Sequence, residues 1–313
     1  MKVLFVASGN TYKVSPITKA QGDSLVDAGV EVDYYMIKGK GIKGYLGQIR
    51  PLRKYLKEHH YDVVHAHYSF SAYVASLAGA KPLVVSLMGT DVNAKMSRRL
   101  TIRFFNKLFR WKNIIVKSEA LAEAVKIKNV HIIPNGVDLD LFVSMNQKVC
   151  QDKLGWEKGV KHILFPADPK RPEKDYPLAQ ESIKLLDTKI DTHFFQNVDH
   201  KDTVFYYNAA DVIFLTSKWE GSSNAVKEAM CCGRPIVSLN VGDIKERTEG
   251  TVGCYIVEER DASALANSLT KALNFEGITK GREAIVKSGL DKRKIAGQLI
   301  DIYKHCITET HAI

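Results

Sequence analysis

Short apolar runs, separated by segments of helical pattern, set the strongest limit on how this chain can fold. In the first half they are KVLFVAS, EVDYYMI, DVVHAH, PLVVSLMG, NIIVKS and HIIPNG; in the second they are HILFPAD, THFFQ, DVIFLTS, RPIVSL and GCYIV. Strands that alternate with helices build βαβ units and a parallel sheet. Covering both sheet faces makes the strands read as near-continuous apolar stretches. Two such series in 313 residues fit two domains of about 100–200 residues each. The sequence therefore predicts an α/β chain of two tandem Rossmann-like, doubly wound domains. Their expected bounds are 1–143 and 144–290, with a last helix, 291–313, packing across both. Ligands of such sheets bind beyond the carboxyl ends of the strands. The cleft between the domains is the expected site.

Charge narrows the partners. Up to Met145 there are 21 Lys and Arg against 11 Asp and Glu; the remainder has 24 of each, so the net +10 belongs wholly to the first half. An anionic partner is expected there. No nucleic-acid motif accompanies the charge, so nucleic acid is not expected. No run of 18 apolar residues occurs, which argues against a spanning helix. The apolar run Val3–Ala7 is shorter than a signal core and reads as a first strand. Five cysteines without a C-x-x-C suit neither a disulfide framework nor a zinc site, and point to a reducing cytoplasm.

The stretch KWEGSSNAVKEAM, 218–230, concentrates the candidate chemistry. It must turn after the strand DVIFLTS and return as a helix, and Ser222, Ser223 and Asn224 are all good helix caps. A helix start offers free backbone N–H groups and a positive dipole end, suited to phosphate. Glu220 falls in the loop. Glu228 falls on the edge of the helix's apolar face, about 60° from Ala225. One carboxylate can meet a ribose and the other a second sugar.

This stretch resembles the E-x7-E signature of family 4 glycosyltransferases with the two-Rossmann GT-B fold. IIPNGVDLDLF, DVVHAHYSFSAYVASLAGAKPLVVSLMGTDV and YYNAADVIFLTSKWEG resemble further family segments, in order, over nearly all of the chain. The resemblance implies a retaining, metal-independent transferase that uses a nucleotide sugar as substrate and no cofactor. By position, Glu220 would contact the donor hexose and Glu228 the ribose. Gly221, Ser222, Ser223 and Asn224 would hold sugar and phosphates. The family's basic pair is matched by Lys174, with Arg171 or else Lys170 standing in for an arginine position that falls near Asp168. The family's histidine is Met88 here, leaving Gly89, Asp91 and His67, with Gly9 and Asn10, to line the acceptor cleft. Only one strand fits between Lys174 and Asp211, so the second domain is expected to lack about one β–α unit.

The segment 95–117 carries eight Lys and Arg and no acid. On a helix, Leu100, Phe104, Leu108 and Trp111 form one stripe and Arg99, Arg103, Lys107 and Arg110 the next. Such a face suits an anionic membrane surface; a core-packed helix with a solvated basic back is the alternative. The expectation is a transferase passing a sugar, from a UDP-sugar first of all, to a lipid-linked or polysaccharide acceptor in bacterial surface-glycan synthesis. It would sit in the cytoplasm, peripherally on the inner face of the membrane. The competing readings are a nicotinamide-dependent dehydrogenase, a sugar-nucleotide epimerase, or a non-catalytic membrane- or carbohydrate-binding homologue. The dehydrogenase is disfavoured because neither first strand is followed by G-x-G-x-x-G.

Overall fold

The structure, a computed structural model, describes residues 1–9, 14–39 and 41–311. It contains two compact units, one of residues 1–136 with 292–313, the other of residues 137–291. The strands of the first are β1 (Lys2–Ser8), β2 (Glu31–Ile37), β3 (Val63–His67), β4 (Leu83–Ser86), β5 (Asn113–Val116) and β6 (His131–Ile132). They lie in the order β2-β1-β3-β4-β5-β6, every neighbouring pair parallel. Val3 to Val6, Val63, Ala66, Val84, Val85 and Ile115 are fully or almost fully buried, as expected of strands covered on both faces.

The second unit contains β7 (Lys161–Phe165), β8 (Ile190–Phe194), β9 (Val212–Leu215), β10 (Ile236–Leu239) and β11 (Cys254–Val257). Its order is β11-β10-β9-β7-β8, again wholly parallel. Only β8 lies between Lys174 and Asp211, in keeping with the shortness of that stretch. The chain runs outward from β7 to β8, then crosses back to β9 on the other side. The carboxyl ends of β7 and β9 therefore flank a topological switch point, where open α/β sheets bind ligands.

The units divide after residue 136 rather than 143, because residues 137–142 are already tied to the second. Val137 N–H donates to the Leu290 carbonyl at 2.8 Å. Arg282 donates to the carbonyls of Leu139 and Phe142, and Phe142 is buried edge-on to His200 and Tyr207. The last helix, Lys292–His311, belongs to the first unit. Leu299 and Tyr303 are fully buried there, and the Tyr303 hydroxyl lies 2.6 Å from His65 Nδ1.

Candidate functional site

Two loops of the second unit meet at the switch point. After β7 the chain makes a 3-10 turn, Pro172–Lys174, and enters the helix Tyr176–Lys184. After β9 it runs through Ser217 to Ser223 into the helix Asn224–Cys231. The Lys174 ammonium and Ser217 hydroxyl both donate to Glu220 Oε1, at 2.5 and 2.8 Å, and the Lys174 and Glu220 side chains are each about one-sixth exposed. Thr216 Oγ1 donates to the carbonyls of Lys174 and Asp175, and Lys218 N–H to that of Glu173. Arg260, which follows β11, donates to the carbonyls of Thr216 and Ser217 and to Asp175 Oδ2. The two loops are thus stitched by backbone as well as by charge. Arg171 stands apart, more than half exposed and paired with Glu173.

Within the helix, Ser223 is the cap, its hydroxyl accepting from Val226 N–H. Glu228 is almost buried and has both oxygens engaged: His200 Nε2 lies 2.9 Å from Oε1, and the Tyr207 hydroxyl donates to Oε2 at 2.8 Å. The bond to Glu228 raises the His200 pKa, against the opposing effect of burial. Burial, with the same carboxylate, drives the Tyr207 hydroxyl well above its usual range. A carboxylate has about four lone-pair sites, so each Glu228 oxygen can accept one further hydroxyl. Lys227, on the other face, is fully buried, donates to Ser222 Oγ at 3.1 Å, and is lowered to about 8 by desolvation. Asn224 Oδ1 is buried and has no hydrogen-bond partner among the described residues. Gly242, with φ +65°, presses on the loop: a Cβ there would lie 3.0 Å from the Gly221 carbonyl oxygen and 3.1 Å from that of Glu220.

The first-unit candidates look different. Asp91 is wholly buried, and its carboxylate accepts the N–H groups of Ser69, Met88 and Gly89 at 2.9, 3.0 and 2.9 Å. Its side chain ties the loop after β4 to the one after β3 rather than facing solvent. His67 is also buried, stacked on His65, and desolvation lowers it to about 3, so it is neutral. Gly9 follows β1, its N–H bonded to the Ile37 carbonyl, and Gly89 caps the short helix Thr90–Asn93. Asn10 lies outside the described residues.

The basic segment forms the helix Met96–Phe109. Leu100, Phe104 and Leu108 are more than half exposed, joined by Met96. Trp111 is not part of that stripe: it is buried, its indole N–H donating to Ser76 Oγ. Arg99 and Arg103 are turned onto the carbonyls of Val92 and Val125, because two preceding or neighbouring helices end there with unsatisfied carbonyl groups. Lys107 and Arg110 remain exposed.

Comparison with known proteins gives this geometry a family. A profile described as Glycosyltransferase Family 4 matches residues 9–141, and one described as Glycosyl transferases group 1 matches residues 156–274. The chain belongs to the family 4, group 1 glycosyltransferases. A D-inositol 3-phosphate glycosyltransferase of Xylanimonas cellulosilytica is 23% identical over 300 residues, covering 78% of this chain and 72% of that protein. An Escherichia coli UDP-Gal:alpha-D-GlcNAc-diphosphoundecaprenol alpha-1,3-galactosyltransferase is 23% identical over 310 residues, covering 80% and 77%. Among solved structures, the sucrose-phosphate synthase of Thermosynechococcus elongatus superposes with a TM-score of 0.76 at 18% identity, covering 99% of this chain and 100% of the other. Anabaena HepE in complex with UDP-glucose gives 0.73 at 16%, covering all of both. The two parallel sheets are those of a GT-B glycosyltransferase.

For this glycosyltransferase the sequence reading missed His200, Tyr207, Ser217 and Arg260. His200 and Tyr207 sit seven apart in DHKDTVFYYNAAD, His200 in the 3-10 turn His200–Asp202 and Tyr207 in the helix Thr203–Ala209 that follows it. Arg260 lay in an ordinary charged turn, and nothing local marked it.

Proposed function

We propose that this glycosyltransferase takes its sugar from a UDP-sugar, retains anomeric configuration, and transfers it to a lipid-linked acceptor at an anionic membrane surface. The observation that carries the donor half is the Glu220–Lys174 pair at the β7/β9 switch point. In this reading the sugar's hydroxyls bond Glu220, freeing the Lys174 ammonium to meet the diphosphate. Charge that develops on the departing diphosphate would then be stabilised by a fixed cation and by the N–H groups at the helix start, with no metal required. Glu228, oriented by His200 and Tyr207, would accept the ribose hydroxyls. The buried Asn224 Oδ1, at the start of the same helix, supplies one more acceptor.

The acceptor half rests on the exposed apolar stripe Met96, Leu100, Phe104 and Leu108 beside Lys107 and Arg110. The E. coli relative's name specifies a diphosphoundecaprenol acceptor, whereas the Xylanimonas name specifies an inositol phosphate. A soluble inositol phosphate gives no use for such a stripe, which favours the lipid-linked reading. The test is a panel of nucleotide sugars assayed for binding and transfer. Glu220→Gln is expected to lower transfer about 100-fold, the scale of losing one preorganised electrostatic contact, with a smaller effect on UDP binding. Unchanged transfer by this variant would defeat the assignment.

A further inference from the structure

A second constellation lies in the same unit on β7 and β8, where His162 and Asp191 are each the second residue of their strand and His193 is two further along β8, whereas Lys174 and Glu220 follow the carboxyl ends of β7 and β9. His162 pairs with Asp191 in the parallel register, and strand alternation puts His193 on the same face as Asp191. His162 Nδ1 lies 3.0 Å from His193 Nε2, His193 Nε2 lies 3.4 Å from Asp191 Oδ2, and His162 Nδ1 lies 3.9 Å from that same oxygen. We propose that His162, His193 and Asp191 bind one zinc ion.

Tetrahedral zinc, with bonds of about 2.0–2.2 Å, separates adjacent ligand atoms by about 3.3–3.5 Å. The three distances bracket that value. Tautomers support it too. His162 Nε2 lies 2.9 Å from the Glu157 carbonyl oxygen, which can only accept, so the proton is on Nε2 and the Nδ1 lone pair faces the cluster. A backbone carbonyl behind a ligating histidine is the usual way its ring is oriented. Trp156 stacks on His193, ring centroids 3.4 Å apart at 3°, and fixes the second ring. His162 is buried, but the Asp191 side chain is 44% exposed, so an ion and a fourth, water ligand can enter from that side. Two imidazole nitrogens and one carboxylate favour zinc over magnesium or calcium, which prefer all-oxygen shells. β8 is an edge strand of its sheet; the ion would clip it to β7 and to the segment 156–157, which contacts both histidine rings.

The test is titration of zinc chloride into untagged, chelator-stripped full-length protein, read by calorimetry and by melting temperature, with magnesium chloride as control. One zinc ion per chain is expected to bind and raise the melting temperature, and magnesium to do neither. Cobalt should give the visible bands of tetrahedral coordination. Asp191→Asn and His193→Gln are each expected to weaken zinc binding at least ~10-fold. Asp191 is at the surface and Asn keeps its shape, so that variant decides the matter if His193→Gln fails to fold. An absence of zinc binding, or binding that Asp191→Asn leaves unchanged, would show the cluster to be a plain hydrogen-bonded histidine pair and overturn the proposal.

Discussion

Glu220 and Glu228 belong to one loop and helix, yet their surroundings give them different chemistry. Glu220 is paired with a flexible ammonium and a hydroxyl, partners that a sugar can replace. Glu228 is held by an imidazole and a phenol on fixed rings, partners that orient rather than yield. His200 makes this measurable. Its pKa is raised above the ordinary 6.5, mainly by the hydrogen bond to Glu228. A base whose folded pKa exceeds its unfolded one adds stability that is complete below the unfolded value and fades as pH rises through the folded value. The melting temperature of the native chain should therefore exceed that of His200→Gln by more at about pH 6 than at about pH 8.5. An equal gap at both would mean that His200 acts only as a neutral donor. Sequence spacing placed both glutamates correctly on loop and helix, because caps and apolar periodicity are local signals. It could not supply His200, since a partner 28 residues away is set by the packing of two helices and not by any local pattern.

At the level of elements, the loop 217–223 owes its shape to neighbours that the sequence reading passed over. Gly242 follows β10, and its missing side chain lets the backbone of Glu220 and Gly221 pass within van der Waals contact. Gly242→Ala would place a Cβ in a left-handed conformation, at about 1–2 kcal/mol, and against two carbonyl oxygens. We expect a lower melting temperature together with weaker sugar-nucleotide binding, measured by calorimetry. Loss of stability with full donor affinity would show that Gly242 does not shape the donor loop. The helix Asn224–Cys231 was expected to bury one face. It buries both: Lys227, opposite the apolar face, is enclosed and bonded to Ser222. Amphipathic periodicity reads a lysine as solvent-facing, and only the tertiary context shows otherwise. The zinc cluster is hidden for a related reason. Its residues are 29 and 31 apart from His162 in the chain and meet only through the parallel register of β7 and β8, so no ligand spacing announces it.

Across the whole molecule, the strand count and the shortened second sheet were legible because buried parallel strands carry a dense apolar signal. The unit boundary was less so, since the residues after Gly136 are irregular and are claimed by side-chain and backbone bonds that leave no periodicity. The uneven charge was legible as well, and the structure refines which residues can act on it. Arg99 and Arg103 are occupied with backbone carbonyls, so the membrane reading rests on Lys107 and Arg110 with Met96, Leu100, Phe104 and Leu108. Among the described residues no helix is long and apolar enough to cross a membrane. Each exposed cation near an anionic surface contributes about 1 kcal/mol, and the apolar side chains add burial at about 25 cal/mol per Å². Reversing neither charge but neutralising both, in Lys107→Gln/Arg110→Gln, should weaken binding to phosphatidylserine vesicles roughly 30-fold, from about 2 kcal/mol. Leu100→Ser/Phe104→Ser should weaken it on neutral and anionic vesicles alike, while added salt should affect only the charge-dependent part. Vesicle flotation of the three proteins separates these terms. Equal flotation of all three would exclude this helix as the contact and return the stripe to a protein partner or a second copy of the chain.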